Sequence, residues 1–148
     1  HYRHIYKYLI NFYNSNIQKK ITKTKFLFTN VNKSLYLSMS KGVVYLITDW
    51  SSEPEKYKVG ITKNSPEDRL KSLQTGSSGE LVLLKTYKSE NYRKIEGVLH
   101  RGYKPYSTDG GKEWFELPDN IVINFLKECE RIDNNIKLLN EMNDSFIY

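Results

Sequence analysis

The sequence predicts a small α+β domain, and three features of its 148 residues carry that reading. Residues 42–48 and 57–62 are short runs rich in β-branched and aromatic residues on either side of a polar segment with a proline, the pattern of a strand, loop, strand hairpin. Ser65-Pro66-Glu67-Asp68 is a helix start. Two later segments place apolar residues at the 3.6-residue period of a helix. The length fits one domain with at most an appendage, and 39% hydrophobic residues supply one modest core.

Taken in order, the elements follow from local chemistry. Both hairpin runs are too apolar to stand in the open. Ser65 can cap the first helix, Pro66 suits its first position because no amide hydrogen is needed there, and Asp68 completes a Ser-x-x-Asp capping box. That helix continues through Arg69, Leu70 and Leu73 until Gly76-Ser77-Ser78-Gly79 stops it, and residues 80–88 then read as a third, largely buried strand. Ser89 opens a second helix with Tyr92, Ile95, Leu99 and Gly102 or Tyr103 on one stripe; Glu96 and His100, four apart, project from the edge of that stripe. Pro105 and Asp109-Gly110-Gly111 end this segment. Trp114-Phe115-Glu116-Leu117 is short enough for a small strand or a packed loop. A third helix over residues 118–140 carries Val122, Phe125, Cys129, Ile132, Ile136 and Leu139 on one face and is expected to cover the sheet.

Charge divides the chain more sharply than it describes it. Residues 1–40 hold Arg3, Lys7, Lys19, Lys20, Lys23, Lys25 and Lys33 and no Asp or Glu, whereas the remainder carries 16 basic and 17 acidic residues. The overall +6 therefore belongs to the leading segment, and the basic balance says nothing about the main module. Residues 1–40 read as a basic extension: either an arm that neutralises phosphates, with interleaved Tyr to stack on bases, or a non-native or upstream-translated segment ahead of a start at Met39. The expected partition is this extension, a module over 41–117 and a C-terminal helix over 118–148. No apolar run approaches the ~20 residues that span a bilayer. A single cysteine, Cys129, excludes an intramolecular disulfide and a clustered thiolate metal site, and it suits a reducing compartment, cytoplasmic or nuclear rather than secreted.

The chemistry-bearing residues come at ordered distances. Val44-Tyr45 stands in the first strand, Tyr57-Lys58-Val59-Gly60 in the second, Arg69 in the first helix, Glu96 and His100 in the second, and Glu113-Trp114-Phe115 beyond. This series over residues 42–117 resembles the GIY-YIG nuclease superfamily, and within it the phage open-reading-frame-172 type DNA-binding branch. The resemblance matches Tyr45 to the Tyr of the first motif, Arg69 to the Arg of the first helix and Glu96 to the metal-binding Glu. Glu-x-x-x-His followed by Glu-Trp-Phe is a further habit of the phage-derived branch. Two departures stand out: Lys58 replaces the second motif's Tyr, with Tyr57 on the opposite strand face, and the first motif is stretched to Gly42-Val43-Val44-Tyr45. The superfamily's late Asn has no match.

What the resemblance implies is a DNA-acting protein, an Mg²⁺- or Mn²⁺-dependent endonuclease that hydrolyses a phosphodiester. Glu96 is then the metal ligand, since Mg²⁺ takes one or two carboxylates and completes its shell with water and phosphate. Arg69 offers a permanently charged planar fork for phosphate. Tyr45, with an ordinary pKa of ~10, needs a neighbouring cation to serve as general base, and Lys58 is the candidate. His100 is an auxiliary proton carrier or phosphate contact, and Lys63, Lys71, Arg93 and Arg101 are expected to touch DNA. Each residue also has an ordinary reading: Tyr45 as a core aromatic, Lys58 and Arg69 as solvated charges, Glu96 with Arg93 or His100 as a helix-surface pair, Trp114 as a core plug. Two other functions stay open, a DNA-binding module of the same fold without turnover and a protein-interaction domain. Steep salt dependence of binding would mark the former.

Overall fold

The structure is a computed structural model describing residues 41–109 and 111–146, with side chains described as far as 143. The expectations for residues 1–40, including the basic arm and the start at Met39, lie outside the described residues. Strands β1 (Gly42–Asp49), β2 (Lys56–Thr62), β3 (Leu81–Ser89), β4 (Ser107–Thr108) and β5 (Gly111–Phe115) form one sheet in the order β3-β1-β2-β5-β4, with antiparallel neighbours throughout. Helices α1 (Pro66–Thr75), α2 (Tyr92–Gly102), α3 (Asp119–Ile123) and α4 (Phe125–Phe146) cover it, with a single 3₁₀ turn at Lys104–Tyr106. The fold class is α+β, and the C-terminal helix packs on the sheet.

Alternation along the hairpin divides the interior in two. Val44 and Leu46 of β1, with Tyr57 and Val59 of β2, face a large cluster completed by Tyr92, Ile95, Leu99 and Tyr103 from α2 and its C-terminal cap, Phe115 and Leu117 from β5 and beyond, and Phe125, Cys129 and Ile132 from α4. Tyr45 and Ile47 point the other way, onto Leu81 and the half-buried Leu70, Leu73, Leu83 and Trp114. The helix α1 begins as its sequence dictates, with the Ser65 hydroxyl accepting from the Asp68 amide at 3.3 Å and Pro66 in the first turn. It buries no residue fully, so it is a thin cover.

Three expectations are corrected. The third strand is not largely buried: among the described residues β3 is an edge strand, with no strand paired to its outer side, and only its Leu81 and Ser89 are buried, α1 covering its first residues. The second helix begins at Tyr92 after Asn91; Ser89 stays in β3, its hydroxyl accepting from the Asn91 amide at 2.9 Å. The segment expected as one helix over 118–140 is two. Asn124 interrupts it, donating its backbone and side-chain amides to the Asn120 carbonyl at 3.2 and 2.7 Å, and α4 then runs 22 residues, far enough that Leu139 lies past the sheet, 58% exposed.

A buried carboxylate ties α4 to the sheet. Asp133, 2% exposed, accepts from the Tyr87 hydroxyl and the Asn91 side-chain amide, both at 2.9 Å, with Lys137 at 3.5 Å. Burial alone would raise its pKa, but the hydrogen bonds from Asn91, Tyr87 and Ser89 and the charge of Lys137 hold it below the ordinary value. The same contact pushes the Tyr87 hydroxyl well above its usual pKa, burial being the larger cause.

Candidate functional site

The site is built around an unpaired stretch of β2. On one side β2 pairs with β1 over its whole length, from Lys56 opposite Asp49 to Thr62 opposite Val43. On the other side β5 meets it only at Tyr57 and Lys58, opposite Phe115 and Trp114, and then diverges. Among the described residues no strand pairs with the outer edge of β2 from Val59 onward, and polar side chains reach it from both faces.

From the thinly covered face comes Tyr45. It stands opposite Gly60, and a methyl group at residue 60 would overlap the Tyr45 ring and hydroxyl, so only glycine lets the phenol lie across the strand. The ring is 1% exposed. From the large-core face comes His100, whose Nε2 lies 2.8 Å from the Val59 carbonyl oxygen; only a protonated Nε2 can donate to that acceptor, which selects the Nε2–H tautomer or the charged ring. Its ring also meets Phe115 with centroids 5.6 Å apart. Tyr45 and His100 thus meet β2 at adjacent residues from opposite faces.

Beside them are the charged groups. Glu96, one turn before His100 on α2, has a carboxylate oxygen 3.9 Å from the imidazole, and its side chain is 18% exposed. Burial raises the Glu96 pKa above the ordinary carboxylate value; neighbouring His100 opposes this, negative Glu113 adds to it, and Lys58 and Arg93 oppose it. Lys58 stands opposite Ile47, hence on the Tyr45 face, and its ammonium is ion-paired with Glu113 and lies 5.7 Å from the centre of the Trp114 ring. Tyr57, as expected, is packing: it is buried in the large core, and burial with Glu55 nearby lifts its pKa to about 12.

The structure therefore brings Lys58, Glu96 and His100 together and sets Tyr45 over the same strand edge. The helices α1 and α2 lie on opposite faces of the sheet, so Glu96 and His100 reach the β2 edge from the face opposite Tyr45 and Lys58. Arg69 does not join the group: it is exposed on α1, which packs on β3 and β1, and its guanidinium makes no ion pair or hydrogen bond among the described residues. Lys63, Lys71, Arg93 and Arg101 are all exposed, Arg93 over the Tyr92 ring at 5.2 Å. Trp114 is half-buried against the smaller cluster. Sequence reasoning missed Glu113 as a member of the site. A lysine on a strand otherwise facing inward demands an acid, and Glu113 in the strand that would flank it was the signal.

Among the described residues no group of three or more His, Cys, Asp or Glu side chains is arranged to hold a metal. Glu96 fits a hard cation as a single anchor, because a half-desolvated carboxylate gains from a positive charge and Mg²⁺ keeps most of its shell as water and phosphate oxygen. It does not fit zinc, which wants three or four protein ligands.

A hairpin-led antiparallel sheet with helices on both faces and polar groups gathered at one strand edge puts the molecule in the class of small α+β domains. A family model for the T5orf172 domain matches residues 42–131, well over half of the chain. The chain belongs to this phage-associated, GIY-YIG-like family, and the match takes in the first turns of α4 as well as the sheet. No curated protein and no solved structure gives a significant match. Among the described residues no helix is long and apolar enough to cross a membrane.

Proposed function

We propose that this chain acts on DNA and hydrolyses its phosphodiester backbone with Mg²⁺ or Mn²⁺. Membership of the T5orf172 family supports the DNA partner. The observation that supports chemistry is the meeting of a phenol, an ammonium, a half-buried carboxylate and an imidazole at one open strand edge. In this reading Glu96 holds the divalent cation, which supplies positive charge to the leaving oxygen. Tyr45, fixed over Gly60, takes the proton of the attacking water, with the Lys58 ammonium on the same face of the hairpin. Arg69 approaches from α1 to clamp phosphate as the duplex seats, and Lys63, Lys71, Arg93 and Arg101 contact the backbone on either side. His100, with Nε2–H given to Val59, keeps α2 and therefore Glu96 against β2, and in its charged form adds attraction for phosphate.

A second reading has a specific observation behind it. Lys58 is already neutralised by Glu113, and Arg69 makes no ion pair or hydrogen bond among the described residues, which suits a module that grips DNA without turnover. Incubating the protein with plasmid and branched DNA in Mg²⁺ or Mn²⁺ separates the two. Hydrolysis predicts nicked or linear product that disappears with chelation, and Glu96→Gln should lower the rate at least ~100-fold, about 2.7 kcal/mol of transition-state stabilisation, while DNA affinity changes little. Binding without product on every DNA form would leave the second reading standing.

A further inference from the structure

The Lys58–Glu113 ion pair is lopsided. The lysine side chain is 8% exposed and anchored in the middle of the sheet, while the glutamate side chain is 47% exposed on the strand that diverges from β2. An ammonium has three N–H donors, and among the described residues Lys58 spends one, on Glu113. Its other close neighbour is the face of Trp114, which attracts a cation but accepts no strong hydrogen bond, and the Glu96 carboxylate acts on it through charge without a hydrogen bond. A buried cation with one hydrogen-bonded anionic partner, itself half exposed, and spare donors is placed to exchange that partner for a better anion. A phosphate group presents several oxygens, and the solvent-exposed path by which the Glu113 carboxylate arrives is open to it once Glu113 swings out.

We propose that Glu113 is a displaceable stand-in for a backbone phosphate, holding Lys58 ready in the free protein and leaving it when DNA arrives, which rests on the reading of this domain as DNA-acting. Glu113 is then a gating residue and makes no contact with the reacting atoms. Two consequences follow. DNA must compete with an internal carboxylate, so affinity is held below what Lys58 could provide. In addition, Lys58 releases a tethered carboxylate in place of a mobile counterion on binding, so the contact contributes nothing to the salt dependence of affinity.

Glu113→Gln frees the ammonium without emptying the space. Fluorescence anisotropy on a labelled duplex, across a salt series without divalent metal, reads both consequences. The variant should bind about tenfold more tightly near 0.1 M salt, with the slope of log affinity against log salt steeper by about one. Glu116→Gln, removing an exposed carboxylate three residues along, controls for the general loss of negative charge and should leave the slope unchanged. In a Lys58→Gln background Glu113→Gln should gain nothing. If loss of the pair prevents folding of Glu113→Gln, Glu113→Asp decides: it keeps the charge with a shorter reach and should show a smaller gain in the same direction. Equal or weaker binding with an unchanged slope would make Glu113 a fixed structural partner and end the proposal. Wild-type protein that binds no DNA at any salt would overturn the DNA reading itself, and the gate with it.

Discussion

The two faces of the sheet share their strands and divide the work unequally. Toward α2 and α4, β1 and β2 send Val44, Leu46, Tyr57 and Val59 into a cluster of thirteen buried residues; toward α1, Tyr45 and Ile47 find only Leu81 fully buried beside them. Burial of apolar area is the main favourable contribution to folding, so stability resides in the first face. The second face keeps polar groups because α1 covers it thinly. The lesson is one of placement: the charged groups collect where β5 leaves β2, at the seam between the two faces, so the large core can hold their backbone in position without excluding a macromolecular partner.

Truncations test that asymmetry most severely. Phe125→Ala, at a residue with no exposure in the large cluster, should cost about 3–5 kcal/mol in denaturant unfolding, whereas Leu73→Ala beneath α1 should cost about 1–2 kcal/mol because the site is already half open. Equal costs would mean the faces are not divided as described. The next effect in size concerns the carboxylate that locks α4 to β3. Asp133→Ala leaves the Tyr87 hydroxyl and the Asn91 amide without their acceptor and should cost roughly 2–3 kcal/mol at neutral pH. Since the Asp133 pKa is lowered in the folded state, its contribution is present above the unfolded carboxyl pKa of about 4 and is lost as pH falls through the folded value. Urea titrations of wild type and variant should therefore converge in strong acid.

The smallest effect has the opposite sign and belongs to the site. Burial raises the Glu96 pKa, so the folded state binds this proton more tightly than the unfolded chain does, and ionisation of Glu96 opposes folding once pH rises above the unfolded carboxyl value of about 4.3. Glu96→Gln should accordingly raise the melting temperature slightly at neutral pH in metal-free buffer, with the gain vanishing in acid, where the wild-type carboxyl is already neutral. A variant less stable than wild type at neutral pH would show that Glu96 is a structural acid rather than one held at a cost for function.

How much of this was legible in the chain depends on the reach of each interaction. The hairpin could be read because two runs rich in β-branched and aromatic residues flank a polar segment with a proline, and α1 because Ser65, Pro66 and Asp68 state a cap within four positions. The Tyr92, Ile95, Leu99 stripe was legible from its period, and the opposite facing of Lys58 and Tyr57, with Tyr57 in the large core, from the two-residue alternation of a strand. The exposure of β3 was not, because LVLLKTYK is as apolar as a central strand and nothing local says that its place among the described strands is at the edge. Nor was the break at Asn124, an asparagine that turns its side chain back on the Asn120 carbonyl in the midst of a continuing helical period.

The sequence by itself determined the local elements, the family and the residues from which a site could be drawn, since capping, alternation and motif order act over a few neighbouring positions. Tertiary structure alone decided which of those residues meet. Lys58 finds Glu113 across 55 positions, His100 finds the Val59 carbonyl across 41, and Tyr87 finds Asp133 across 46. Arg69, by the same geometry, is left in solvent on α1. Such pairings follow from which face a helix covers and where one strand parts from another, and both are set by how the whole chain buries its apolar surface.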